Sequence, residues 1–214
     1  MKNIVLYGDS IRMGYDKYVK EALSGEADVY YPSENCRFAV YTLRYIAEWK
    51  TKGGYPDDID LVHWNAGLWD VTEMYGEEPL TRIDAYADLI LRIYKRIRFI
   101  YPSAKIVFAT STAVREEGYN KSFKRRNSVI RDYNRAAIEA LKDTDCIIND
   151  LYAVTEGCPD ECCSDMTHFN TPKGAELVGG KVIEVICREL GIKRTDIDTD
   201  SFELEKYTTD NIGK

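Results

Sequence analysis

The chain has 214 residues, 44% of them hydrophobic and 30% charged, enough for one domain with a sizeable core. A formal net charge of −7 argues against a sequence-independent grip on nucleic acid, which needs a basic surface. The apolar run after Met1-Lys2 spans only Ile4 to Tyr7, too short for a secretory leader, and nothing approaches the ~20 apolar residues of a membrane span, so a cytoplasmic protein without a membrane partner is expected.

Residues 3–7 read as a first strand, which ends in Gly8-Asp9-Ser10. Tyr15, Tyr18, Val19, Ala22 and Leu23 have helical spacing over 15–23, Val29 to Tyr31 reads as a short strand, and Phe38 to Trp49 returns to helix. Ile59 to Trp64 is a strand closed by Asn65. Ile83, Tyr86, Ile90, Ile93 and Ile97 recur at three- and four-residue steps over 81–99, and Tyr101-Pro102 stops them. Lys105 to Thr110 is a strand, 125–141 a helix, and Cys146 to Ile148 a last short strand. Thr171-Pro172 has the form of a helix cap followed by proline at the first helical position, and the last helix runs to about Leu190.

Strands alternating with helices predict an α/β fold, a three-layer α/β/α sandwich around a mostly parallel, flavodoxin-like sheet. Residues 1–193 are expected to form that domain, with 194–214 as a polar C-terminal tail. In such sheets sites lie at the carboxyl ends of the strands. That places Gly8 to Ser10, Asn65 to Asp70 and Ser111 to Val114 around one crevice. A flavodoxin-like nucleotide site would need a glycine-rich loop after the first strand, and Ser10-Ile11-Arg12-Met13-Gly14 is a poor one.

Two pieces carry chemistry. Ser10 sits at the tip of the first strand, and Asp165-Met166-Thr167-His168 holds one of only two histidines. A serine hydroxyl needs an imidazole to take its proton, and the imidazole needs a carboxylate to fix its tautomer. Asp165 is three residues from His168, so one tight turn brings carboxylate to ring. His63 shares a strand face with Asn65 and reads as a buried structural histidine. Cys36, Cys146, Cys158, Cys162, Cys163 and Cys187 read as reduced thiols. The Cys158/Cys162/Cys163 cluster lacks the paired spacing of structural zinc, so no metal and no cofactor are expected. The basic run Lys121 to Arg126 reads as a solvated stretch.

The arrangement resembles the SGNH hydrolases, also called GDSL esterases and lipases. Gly8-Asp9-Ser10 matches their first block. Asp165-Met166-Thr167-His168-Phe169-Asn170, with Pro172-Lys173-Gly174 after it, is similar to their last, and the likeness covers about residues 3–190. It implies a serine ester hydrolase working through Ser10, His168 and Asp165 by an acyl-enzyme. The middle blocks depart from the family. The second block has Glu34-Asn35-Cys36-Arg37-Phe38 where a glycine N–H usually serves the oxyanion, so the Arg37 N–H is the expected substitute, with Asn35 or Cys36 as alternatives. The third block, usually Gly-x-Asn-Asp, is Asn65-Ala66-Gly67-Leu68-Trp69-Asp70. Strict alignment puts Gly67 on the usual asparagine, and the Asn65 amide is the expected donor. Ser10 N–H, Arg37 N–H and Asn65 would then hold the oxyanion.

Asp9, Trp64 and Trp69 are the expected substrate contacts. Aromatic platforms suit sugar rings, so short acyl, chiefly acetyl, esters of carbohydrates are the expected substrates. Short-chain acyl esters or thioesters of lipids or small metabolites are the alternative, as is a catalytically weak relative that binds a ligand in the same crevice.

Overall fold

The computed structural model describes residues 1–198. Five strands form a sheet in which every pairing is parallel: β1 (Lys2–Tyr7), β2 (Ala27–Tyr30), β3 (Leu61–Asn65), β5 (Lys105–Ala109) and β7 (Ile147–Asn149), in the order β2-β1-β3-β5-β7. This is the flavodoxin-like order, one early reversal followed by outward growth. β3 is buried along its whole length and β1 from Ile4 to Tyr7, so neither shows the buried/exposed alternation of a strand covered on one face only.

Helices α1 (Ser10–Ala22) and α6 (Pro172–Leu190) pack on one another. Helices α2 (Ala39–Gly53), α3 (Ile83–Ile100) and α4 (Asn127–Leu141) form a second consecutive set. The core runs through both layers, with Ile4, Leu6, Val62, Phe108, Ile90 and Val182 fully enclosed. The expected fold class is the one observed.

Boundaries differ where capping overrides periodicity. Helix α1 begins at Ser10 rather than at residue 15, because the Asp9 carboxylate caps it by accepting the Ile11 N–H at 3.0 Å. Helix α2 runs on to Gly53 and ends in left-handed Gly54, φ 62°. Thr171 caps α6 by accepting the Gly174 N–H at 2.9 Å.

Several short elements lie outside the sequence expectations, two 3-10 turns at Glu116–Gly118 and Asp160–Cys162 among them. A two-stranded antiparallel ribbon joins β4 (Glu73–Met74) to β6 (Phe123–Lys124), and a short helix α5 (Leu151–Thr155) follows β7. Of the expected polar tail, residues 194–198 are described, with Thr195 N–H donating to Ala22 O at 2.7 Å. Residues 199–214 lie outside the described residues. Among the described residues no helix is long and apolar enough to cross a membrane.

Candidate active site

The carboxyl end of β1 delivers Ser10 to the first turn of α1. The turn is tight: a Cβ on Gly8 would collide with the Asn65 side chain and the Arg12 Cβ, so only glycine lets β1 approach β3 this closely before Ser10. Across the crevice, the loop between α5 and α6 carries the acid–base pair. Asp165 Oδ1 accepts the backbone N–H groups of Thr167 at 2.6 Å and His168 at 2.8 Å, folding the loop around its own carboxylate. Its other oxygen meets His168 Nδ1 at 2.7 Å, and His168 Nε2 lies 2.9 Å from Ser10 Oγ.

An ionised carboxylate only accepts hydrogen bonds. The proton is therefore on Nδ1, which leaves Nε2 to accept from the serine. Partial burial pulls the Asp165 carboxyl upward, but hydrogen bonds from the His168 ring and the Thr167 N–H outweigh it and hold the group well below the usual carboxylate range. Ser10, His168 and Asp165 are thus brought into one hydrogen-bonded line.

The cleft above Ser10 has a volume of about 510 Å³. Phe38, Trp69, Met74, Leu80, Phe123 and Met166 give it apolar walls, and Thr72, Tyr119, Arg125 and Asn35 give it polar ones. Phe38 meets Trp69 edge to face at 5.3 Å.

Four expected site residues lie elsewhere or are otherwise engaged. Trp64 is fully buried and packs on Phe108 at 4.8 Å, because strand alternation turns it to the face opposite His63 and Asn65. Asp9 has no exposed surface, and its Oδ1 both caps α1 and accepts Asn65 Nδ2 at 2.9 Å, so it is a buried structural group rather than a substrate contact. Burial raises its pKa, against those hydrogen bonds. Asn65 commits one of its two N–H groups to Asp9 and does not line the cleft. The Arg37 N–H donates to Asn35 Oδ1 at 2.8 Å, with Arg37 in the left-handed region at φ 50°. The Cys36 N–H is also taken, by Gly8 O at 3.1 Å.

His63 is buried, accepts from Asn149 Nδ2 at 3.1 Å, and is pushed down to about 3 by burial. It is a neutral core group, as the sequence reading has it. Cys158 and Cys163 place their sulfurs 3.8 Å apart behind the Asp165 loop, with Arg115 Nε 3.4 Å from Cys163 Sγ. Among the described residues no group of three or more His, Cys, Asp or Glu side chains is arranged to hold a metal ion.

Asn35 and Arg125 are among the cleft residues not singled out from sequence for their side chains. Asn35 is buried and lines the cleft beside Ser10. Arg125 bridges two loops, donating through Nε to Leu68 O at 2.6 Å and approaching Thr167 Oγ1 at 3.3 Å. Arg125 was hidden inside the basic run, whose only signal is charge.

No protein-family model matches the sequence, and no curated protein matches it. Solved structures do. A lipase/acylhydrolase from Enterococcus faecalis is 20% identical, with a TM-score of 0.70, over 92% of this chain and 100% of its own. An acetyl xylan esterase is 15% identical, with a TM-score of 0.66, over 86% and 99%. A GDSL-like lipase from Bacteroides thetaiotaomicron is 14% identical, with a TM-score of 0.65, over 87% and 88%. The chain has the fold of the SGNH hydrolases, the GDSL lipases and acylhydrolases among them. At these identities the likeness is one of fold, and the chemistry is argued from the chain's own residues.

Proposed function

We propose that this protein is a carboxylic ester hydrolase of the SGNH type. The observation that carries the reading is the unbroken line from Asp165 Oδ2 through His168 to Ser10 Oγ, with contacts of 2.7 and 2.9 Å. Ser10 Oγ attacks the acyl carbonyl while its proton passes to His168 Nε2. Asp165 keeps the ring oriented and stabilises the imidazolium. The tetrahedral intermediate collapses as His168 returns the proton to the departing alcohol. Water, deprotonated by the same nitrogen, then clears the acyl group from Ser10. The first N–H groups of α1 have no intrahelical partners, so the Ser10 N–H is one donor for the oxyanion.

The favoured substrates are short acyl esters of carbohydrates. Trp69 and Phe38 offer an aromatic wall to a sugar face, and one protein of similar fold is named an acetyl xylan esterase. A second reading, a simple ester with a longer apolar acyl chain, is favoured by Met74, Leu80, Phe123 and Met166, which also line the cleft.

Turnover of p-nitrophenyl acetate, butyrate and octanoate beside acetylated xylo-oligosaccharides separates the two readings, with Ser10→Ala as control. Hydrolysis lost in Ser10→Ala supports the enzyme. No turnover of any ester, with Ser10 unlabelled by a fluorophosphonate, overturns it in favour of a binding protein.

A further inference from the structure

We infer that the side-chain amide of Asn35 is an oxyanion donor, replacing the backbone N–H that the family resemblance assigns to the second block. The inference rests on the Ser10 nucleophile proposed above. Asn35 belongs to the connection between β2 and α2, which is pinned from below. The buried Arg12 guanidinium donates to Pro32 O at 2.9 Å and Glu34 O at 2.6 Å, the Cys36 N–H donates to Gly8 O, and Thr42 Oγ1 donates to Cys36 O at 3.0 Å. Held this way, the loop turns its Cys36 and Arg37 N–H groups inward, where both find acceptors. Neither is left for a substrate.

The same geometry fixes the Asn35 amide. Oδ1 accepts the Arg37 N–H at 2.8 Å, so the oxygen and nitrogen ends of the side chain are not interchangeable. Nδ2 is the remaining end. It is buried without a hydrogen-bond partner among the described residues, on a side chain only 3% exposed that lines the cleft with Ser10 and His168. A buried amide N–H normally has a partner. Here the acceptor arrives with the reaction, as the negative oxygen of the tetrahedral intermediate. A donor prepositioned for charge that develops only in the transition state costs no reorganisation when the charge appears. Asn65, the expected side-chain donor, gives one N–H to Asp9 and stands outside the cleft. Arg125 faces the cleft, but its Nε is held by Leu68 O.

The test is steady-state hydrolysis of p-nitrophenyl acetate by Asn35→Ala and Asn35→Asp in the full chain, alongside inhibition by an alkylboronic acid, which forms a tetrahedral adduct on serine. Asn35→Asp keeps the acceptor for Arg37 N–H and removes the amide donor, so the loop is retained if Asn35→Ala loosens it. For both variants kcat should fall by about 100- to 1,000-fold with KM within about threefold, and boronate affinity should fall with kcat. Circular dichroism and thermal unfolding identify the folded fraction. A kcat within threefold of wild type in either folded variant, or lost kcat with unchanged boronate affinity, overturns the assignment. Wild-type protein that neither turns over nor labels with a fluorophosphonate overturns the hydrolase reading instead.

Discussion

Asp165 holds His168 twice, once through the backbone N–H on Oδ1 at 2.8 Å and once through ring Nδ1 on Oδ2 at 2.7 Å. One carboxylate therefore shapes the loop and sets the tautomer. Asp165→Asn separates the two roles, because an amide oxygen can still accept the Thr167 and His168 N–H groups while its NH₂ cannot accept from Nδ1. The variant should fold with little loss of thermal stability. Its kcat on p-nitrophenyl acetate should fall about 10³- to 10⁴-fold, the scale of a wrong tautomer. Equal losses of Tm and activity would count against the tautomer role. Because hydrogen bonds hold the native Asp165 carboxyl below its unfolded value, its stabilising contribution is complete above about pH 4 and is lost as pH falls through the native value. An acid limb of activity above that range belongs to another group.

Asp70 predicts a pH dependence of the opposite sign. Burial pushes its carboxyl up to about 6, against hydrogen bonds from Thr81 Oγ1 at 2.7 Å and the Ala39 N–H at 3.0 Å. A carboxyl with a raised native pKa binds more protons folded than unfolded, so stability falls as pH rises from about 4 to about 6 and is level above. The fall is about 3 kcal/mol. Asp70→Asn keeps an acceptor for Ala39 and abolishes the titration. The Tm of the variant relative to wild type should therefore climb across that window. A difference that stays flat from pH 4 to above pH 6 would place the native carboxyl at its ordinary value.

Arg12 and Asp16 form a buried ion pair, and the same guanidinium fastens the loop that carries Asn35. Arg12→Met leaves Asp16 buried without its cation and should cost about 3–5 kcal/mol in urea unfolding. Replacing both as Arg12→Met/Asp16→Leu removes the stranded charge and should recover most of that stability. It should not recover kcat, since Pro32 O and Glu34 O lose their donor and the Asn35 loop its anchor. Recovery of activity along with stability would show that the loop holds its shape without Arg12.

The sequence made some of this legible and hid the rest for physical reasons. Ser10 at a strand tip and an Asp and His three residues apart are local patterns, and the parallel sheet follows from alternating elements, so both could be read in advance. Trp64 was readable in principle: the alternation that puts His63 and Asn65 on one face puts Trp64 on the other, inside the core. Asn35 was not. Its Nδ2 is the end left over because Arg37, at φ 50°, turns its N–H back onto Asn35 Oδ1, and a left-handed non-glycine residue has no pattern that announces it. The β4–β6 ribbon has two residues in each strand, too short for any periodicity.

Trp64 and Trp69, five positions apart, should fail in different ways. Trp64 is fully enclosed against Phe108, so Trp64→Ala opens a cavity and should cost about 3–5 kcal/mol of stability. Trp69 is half-buried on the cleft wall against Phe38, and Trp69→Ala should leave Tm within a few degrees. A sugar face on that indole, worth about as much as an aromatic pair at about 0.5–1.5 kcal/mol, would be lost. KM for an acetylated xylo-oligosaccharide should then rise about 2- to 13-fold, while kcat/KM for p-nitrophenyl acetate, which has no sugar to stack, stays within about twofold. If both substrates suffer equally, Trp69 shapes the cleft for the acyl group, and the carbohydrate reading loses its aromatic platform.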